Sequence, residues 1–129
     1  MFLDASAIVA IIALEPGHEE LAARLDAVAQ PRTSPLAVFE AAMAIGRDHR
    51  IGVERARVLI ARFLERTQTE IRPVDAATGE FALDAHRRYG KGNHKACLNF
   101  GDCFAYAMAK QQNVPLLYKG DDFAATDLA

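Results

Sequence analysis

The sequence predicts one α/β domain in which helices cover both faces of a central parallel sheet, giving a three-layer α/β/α sandwich. Three observations support this prediction. The chain has 129 residues, a typical length for one domain, and 51% of them are apolar, enough for a sizeable core. Short apolar segments alternate with longer segments of helical periodicity. No linker or internal repeat interrupts this alternation, so residues 1–129 are assigned to one domain.

The first third of the chain predicts a strand, two helices and a second short strand. Residues 1–3 are apolar and end at Asp4, which indicates a strand with a carboxylate at its carboxyl end. Residues 5–14 are almost entirely apolar and are followed by Glu15, Pro16 and Gly17, which is typical of a buried helix and its end. A more amphipathic helix is expected from about residue 18 to 28, with a break and a short strand over residues 30–34.

The middle of the chain predicts two long helices. Ser34 followed by Pro35 is a favourable helix start, with serine at the N-cap and proline at the first helical position. That helix carries Glu40. The next helix shows the most regular pattern, with apolar residues at i, i+3, i+4, i+7 and i+8 along one face: Ala56, Leu59, Ile60, Phe63 and Leu64.

The last third predicts two further strands, each next to a helix. Residues 70–74 form a candidate strand, and Asp75 is placed to cap a helix from residue 76 to about 88. After a basic, glycine-containing loop, a helix is expected over residues 101–112 and a strand over residues 114–118. Strands that alternate with helices indicate a parallel sheet. Ligands of such sheets bind beyond the carboxyl ends of the strands.

Acidic residues from distant parts of the chain are expected at that edge of the sheet. Asp4 ends the first strand, Asp121 and Asp122 follow the last strand, and Asp102 begins the helix that leads into it. Glu40 lies in a helix among apolar neighbours, an unusual setting for an unpaired carboxylate. Each acid also has a simpler interpretation: a helix-start charge, a turn residue or a solvent-facing side chain. Asp4 is the hardest to explain in this way.

Taken together, the carboxylates predict a divalent metal site. Two carboxylates about 4 Å apart repel each other by about 4 kcal/mol at an effective dielectric constant near 20. Several of them can converge only if they are protonated or share a cation. Ligation by oxygen alone favours Mg²⁺ or Mn²⁺ over zinc. The chemistry expected of such a site is metal-assisted hydrolysis of a phosphodiester bond.

A basic segment is the candidate contact for a polyanionic substrate. The net charge of −2 provides no overall attraction for nucleic acid, so a local patch is required. Residues 86–95 carry Arg87, Arg88, Lys91 and Lys95 without an acidic residue, and Tyr89 is available for stacking. A solvated helix end and loop would give the same composition.

Other classes of site and location are disfavoured. The two cysteines, Cys97 and Cys103, are too few for a disulfide scaffold and have no second ligand pair for zinc. The apolar run over residues 5–14 is too short to cross a membrane and lacks the features of a signal peptide. A cytoplasmic protein without membrane contact is therefore expected.

Two phosphate-handling classes also begin with a strand-end aspartate but fit the sequence less well. An aspartate-nucleophile phosphatase has a second aspartate two positions after the first, where this chain has Ser6. A phospho-receiver domain has an acidic pair after the first strand, which is absent here. Lys119 would be its lysine near the last strand, but the aspartate after a central strand, Asp75, is better placed as a helix cap.

Four blocks of the sequence resemble the PIN-domain nucleases, and among them the VapC-type toxins of bacterial toxin–antitoxin pairs. The blocks occur in the family's order along the whole chain. They are Met-Phe-Leu-Asp-Ala-Ser-Ala at positions 1–7, Ser-Pro-Leu at 34–36 with Glu-Ala at 40–41, Leu-Asn-Phe-Gly-Asp-Cys-Phe-Ala-Tyr-Ala at 98–107 and Leu-Leu-Tyr-Lys-Gly-Asp-Asp-Phe at 116–123. The resemblance implies a PIN-like sandwich, Mg²⁺- or Mn²⁺-dependent endoribonuclease activity, a homodimer, and an antitoxin protein that covers the active site.

The same resemblance implies roles for individual acids. Asp4 and Asp102 resemble direct metal ligands, and Glu40 resembles a ligand or a group that orients the attacking water. The family's fourth acid maps to the pair after the last strand, where Asp121 is preferred and Asp122 remains the alternative. All the acids of the family are present, so a degenerate fold that only binds has no support.

Supporting residues are implied as well. Ser6 is expected to hold Asp4 through its hydroxyl, while Asn99, like the second aspartate of the pair, would support the ligands from behind. The chain departs from the family pattern at His94 and Lys95, where a small residue and a proline are common. This departure leaves the metal site untouched and concerns the substrate contacts of the basic loop.

Overall fold

The sheet of the computed structural model, which describes residues 1–129, consists of four short parallel strands. These are β1 (Phe2–Leu3), β2 (Arg32–Thr33), β3 (Glu70–Ile71) and β4 (Leu116–Leu117), in the spatial order β3-β2-β1-β4. Strand β1 lies between β2 and β4, with Phe2 in register with both Arg32 and Leu116. The carboxyl end of β1, where Asp4 follows, is therefore near the middle of the edge at which ligands of parallel sheets bind.

Six helices surround the sheet. They are α1 (Ala5–Ile12), α2 (His18–Asp26), α3 (Pro35–Asp48), α4 (Gly52–Arg66), α5 (Ala76–Tyr89) and α6 (Phe100–Gln111). Every strand and helix expected from the sequence is present, with ends that differ by a few residues. The three-layer α/β/α architecture with a central parallel sheet is confirmed. None of the helices combines the length and apolarity needed to cross a membrane.

The sheet separates two apolar clusters because alternate residues of a strand point to opposite faces. Leu3 and Leu117 pack into the cluster formed by helices α1 to α4, whereas Phe2 and Leu116 pack into the cluster formed with α5 and α6. All four side chains are buried. Strands β1 and β4, with two residues each, therefore contribute one buried side chain to each apolar cluster.

Local sequence signals define several helix ends. The Ser34 hydroxyl accepts a hydrogen bond from the Ala37 N–H at 3.1 Å, and the Asp75 carboxylate accepts one from the Thr78 N–H at 2.9 Å. Both predicted caps are confirmed. The apolar stripe of α4 is buried except at Leu59, which lies at its margin and is 39% exposed.

Candidate functional site

Asp4 lies at the junction of β1 and α1. It is 6% exposed, and its Oδ2 accepts hydrogen bonds from the Ser6 N–H at 2.9 Å and the Ser6 hydroxyl at 2.5 Å. The Ser6 hydroxyl oxygen also accepts a hydrogen bond from the Lys119 N–H at 3.0 Å. Ser6 therefore connects Asp4 to the loop after β4, which is an arrangement suited to holding Asp4 in place.

Asp102 is the third residue of α6 and is held by a reciprocal cap. Its Oδ2 accepts a hydrogen bond from the Asn99 N–H at 3.0 Å, while Asn99 Oδ1 accepts one from the Asp102 N–H at 2.9 Å. Asp102 is 9% exposed, and its Oδ1 remains free for another partner. Asn99, assigned from the sequence only as a supporting residue, thus both begins α6 and orients Asp102.

Glu40 reaches the same region from α3. Its carboxylate lies against Gly101 of α6, so closely that a Cβ atom at Gly101 would overlap it. Ala41 and Ala42 face the core, but Phe39 and Met43 are exposed to solvent, so the apolar neighbours of Glu40 do not all belong to the core. The helix therefore presents Glu40 near its solvent-facing side rather than burying it completely.

The two acids after β4 differ in their relation to this group. Both are exposed, in a turn that follows Gly120, whose φ of 93° favours glycine. The Asp122 charge raises the pKa values of both Asp4 and Asp102, whereas the Asp121 charge does not contribute to either shift. Of the two, Asp122 lies electrostatically closer to the other acids, although the sequence favoured Asp121.

The pKa values of the three other acids are raised. Burial, followed by the charges of Asp4 and Asp102, raises the pKa of Glu40 to about 7. Burial is also the main cause for Asp102, whose pKa is raised to about 6, and for Asp4, whose pKa is raised despite the hydrogen bonds from Ser6. These acids form one electrostatically coupled group, here called the acidic cluster: Asp4, Glu40, Asp102 and Asp122.

No basic side chain neutralises the acidic cluster. The ion pairs of the structure involve other carboxylates, and Lys119, the basic residue next to Ser6, is paired with Glu15 at 2.6 Å. Uncompensated carboxylates with raised pKa values are suited to a hard divalent cation.

The available donors fit Mg²⁺ or Mn²⁺ by their chemistry. All of them are carboxylate oxygens, as these ions prefer. No three acidic, histidine or cysteine side chains lie close enough together to hold an ion by themselves. This spacing is compatible with Mg²⁺, which commonly takes only one or two carboxylates and completes its coordination with water and substrate phosphate oxygens.

The basic residues predicted to contact substrate differ in their surroundings: the two arginines form ion pairs with acidic side chains, and the two lysines do not. Arg87 is paired with Asp84 at 3.5 Å, and Arg88 donates to the Tyr89 hydroxyl at 2.9 Å and lies 3.9 Å from Asp127 near the chain's end. Both are engaged away from the acidic cluster.

Lys91 and Lys95 are exposed and form no ion pair. Lys91 lines a groove of about 660 Å³ between α5 and the start of α6, together with Asn99 and Phe100. None of the four acids lines this groove; its link to the acidic cluster is Asn99, the hydrogen-bond partner of Asp102. A smaller depression of about 410 Å³, lined in part by Ser6, Glu40 and Lys119, adjoins the acidic cluster.

One residue of the site was not recognised from the sequence. Gly101 contacts the Glu40 carboxylate, but glycine in the first turn of a helix carries no signal of such a contact. Only the arrangement of α3 against α6 reveals it.

Comparison with known proteins agrees with this architecture. The PIN domain family model matches residues 1–128. A VapC ribonuclease of Rhizobium meliloti is 45% identical over 98% of both chains, and ribonuclease VapC30 of Mycobacterium tuberculosis is 40% identical over 100% of this chain and 96% of its own. The crystal structure of M. tuberculosis VapC20, described as a Sarcin-Ricin loop cleaving toxin, superposes with a TM-score of 0.77 at 19% identity, covering 99% of this chain and 95% of that one. The chain belongs to the PIN domain family, among its VapC-type ribonucleases.

Proposed function

We propose that this protein is a Mg²⁺- or Mn²⁺-dependent endoribonuclease that acts as the toxin of a toxin–antitoxin pair. The observation that carries the proposal is the acidic cluster, which contains carboxylates from the β1–α1 junction, α3, α6 and the loop after β4 and has no balancing cation. The family's ribonuclease members support RNA as the substrate. Metal-assisted phosphodiester hydrolysis is the chemistry that oxygen ligands of this kind support best.

Each acid is given a role that its surroundings support. Asp4 and Asp102 are the proposed metal ligands, because each is oriented by hydrogen bonds from one side. Glu40, with a pKa of about 7, is a ligand or the group that orients the attacking water. Asp122 is proposed as the fourth acid in preference to Asp121, because its charge acts on both proposed ligands. A bound divalent ion would acidify the attacking water and stabilise the charge on the phosphate.

The proposed substrate contacts are the basic side chains near the groove. Lys91 has the strongest support because it is exposed, forms no ion pair and lines a groove together with Asn99, the hydrogen-bond partner of Asp102. Lys95 belongs to the same exposed loop, whereas Arg87 and Arg88 would first have to leave their present partners. These cations would offset the repulsion between RNA and the acidic cluster.

Protein partners are part of the same proposal. Large apolar side chains are exposed on the two helices that carry Glu40 and Asp102, with Phe39 65% exposed on α3 and Phe100 71% exposed on α6, and Leu83 is exposed on α5. Exposed apolar patches commonly mark interfaces between proteins. We infer that the chain forms a homodimer and is bound by a cognate antitoxin protein. Sedimentation analysis at micromolar concentration tests the first inference, and a monomeric mass would contradict it.

The activity is tested by incubating a panel of structured RNAs with purified protein in Mg²⁺, Mn²⁺ or EDTA. Wild type is compared with Asp4→Asn and with the control Asp26→Asn, which removes one exposed carboxylate at the end of α2. Cleavage should require metal, disappear in Asp4→Asn and persist in the control. Equal cleavage in EDTA, or full activity of Asp4→Asn, would contradict the proposal.

A further inference from the structure

Gly101 occupies a position whose backbone does not require glycine. It is the second residue of α6, and its φ is negative, as any residue in a helix adopts. Alanine at such a position generally stabilises a helix relative to glycine. The structure shows one tertiary contact that a larger residue at this position would disturb.

That contact is with Glu40. A Cβ atom built on Gly101 would overlap both carboxylate oxygens and the Cδ atom of Glu40. The contact joins the two helices that carry Glu40 and Asp102, since α3 packs directly against α6. The missing side chain of Gly101 thus leaves the space in which the Glu40 carboxylate lies beside the first turn of α6.

We propose that Gly101 is a positioning residue for the metal site: its lack of a side chain allows the Glu40 carboxylate to lie beside Asp102. The expected effect on metal binding rests on the proposed metal-dependent activity. The steric contact between Gly101 and Glu40 does not depend on a metal. Gly101 has no side chain to contact the metal or the RNA and acts only through Glu40.

The flexibility of the Glu40 side chain determines what a substitution of Gly101 should do. The overlapping atoms are the far end of a long side chain that borders solvent, so a methyl group at Gly101 should turn Glu40 away rather than separate the two helices. Gly101→Ala should therefore remain folded while Glu40 leaves the acidic cluster. This outcome differs from that of an overpacked core, where the whole protein is destabilised.

Gly79→Ala is a matched control. Gly79 lies within α5, and a Cβ atom added there would have no neighbour within 4 Å. Both substitutions add one methyl group to a helical glycine. Only Gly101→Ala should affect Glu40.

The first measurement is Mn²⁺ affinity by titration calorimetry for wild type, Gly101→Ala, Gly79→Ala, Glu40→Gln and the double variant Gly101→Ala/Glu40→Gln. Loss of a group that orients a metal ligand typically weakens metal binding by about tenfold or more. We expect such a loss in Gly101→Ala, no change in Gly79→Ala, and no further loss when Gly101→Ala is added to Glu40→Gln. An unchanged affinity in Gly101→Ala, or an equal additional loss in the Glu40→Gln background, would overturn the proposal.

The second measurement does not require metal. Crystal structures of metal-free wild type and Gly101→Ala, supported by circular dichroism to verify folding, should show α3 and α6 in place and a changed Glu40 rotamer. An unmoved Glu40 in the variant would overturn the steric part of the proposal. If Glu40 moves but wild type binds no Mn²⁺, the steric contact stands, and the proposed metal-dependent function is wrong.

Discussion

Asp102→Asn is expected to make the metal-free protein more stable at neutral pH while removing a proposed metal ligand. Asn is similar in shape to Asp, and its side-chain oxygen can still accept the hydrogen bond from the Asn99 N–H that holds Asp102. The substitution removes a charge that burial and the nearby Asp4 and Asp122 disfavour. The substitution should therefore raise the stability of the metal-free protein and lower its affinity for the metal.

The magnitude follows from the pKa shift. The pKa of Asp102 is raised from 3.8 to about 6, and one unit corresponds to 1.36 kcal/mol, so ionisation in the folded state costs about 3 kcal/mol. Solvent around the carboxylate screens part of this cost, so about 3 kcal/mol is an upper limit. For a domain of this size, that energy corresponds to an increase of about 10 °C in the midpoint of thermal unfolding.

The stability difference between wild type and Asp102→Asn should depend on pH. Well below pH 4, Asp102 is protonated in both the folded and unfolded states, so wild type and variant should have similar stability. Between about pH 4 and 6, the unfolded chain releases the proton while the folded protein retains it, and wild type loses stability. Above about pH 6 the difference is complete and constant.

The assay is thermal unfolding of EDTA-treated wild type and Asp102→Asn, followed by circular dichroism from pH 4 to pH 8. Mg²⁺ added at pH 8 should stabilise wild type and have little effect on the variant. A difference in midpoint that does not change with pH, or a variant less stable than wild type at pH 8, would refute the reasoning.

Other predictions concern single side chains of the site. Asp4→Asn should abolish metal-dependent RNA cleavage with an intact fold, measured by gel assay and circular dichroism; retained activity would remove Asp4 from the mechanism. Ser6→Ala should weaken Mn²⁺ binding about tenfold in calorimetry, because Asp4 loses its hydroxyl partner, and an unchanged affinity would count against that role. Lys91→Glu should weaken RNA binding and lower the slope of its salt dependence by about one, whereas Arg87→Glu should do less because Arg87 pairs with Asp84. Equal salt slopes for both variants would contradict this distinction.

The basic segment shows the limit of composition as a guide. Residues 86–95 read as one positive patch because they contain no acid. In the structure, Asp84 and Asp127 approach from outside the segment and engage Arg87 and Arg88. Asp84 lies one helical turn before Arg87, but Asp127 is distant from Arg88 in the sequence, and the composition of residues 86–95 contains no information about that contact.

Local physical signals in the sequence predicted the strands and helices of this protein and the candidate acids Asp4, Glu40 and Asp102. Strands β1 and β4 are recognisable as short apolar runs, and two helix starts by Ser34 and Asp75. The common edge is indicated by Asp4, which follows β1, and by Asp102 at the start of the helix that leads to β4. These features act over a few residues or follow from a general property of parallel sheets, so sequence alone is sufficient for them.

Tertiary structure decided the relations between side chains at the site. It distinguished Asp122 from Asp121 by electrostatic proximity, placed Glu40 against Gly101, and left Phe39 exposed. Each of these depends on the rotation of a helix or the path of a turn relative to elements far away in the chain. A sequence pattern alone does not distinguish two adjacent residues as candidates for the same role. Their three-dimensional positions do, because electrostatic and steric interactions act over a few ångströms.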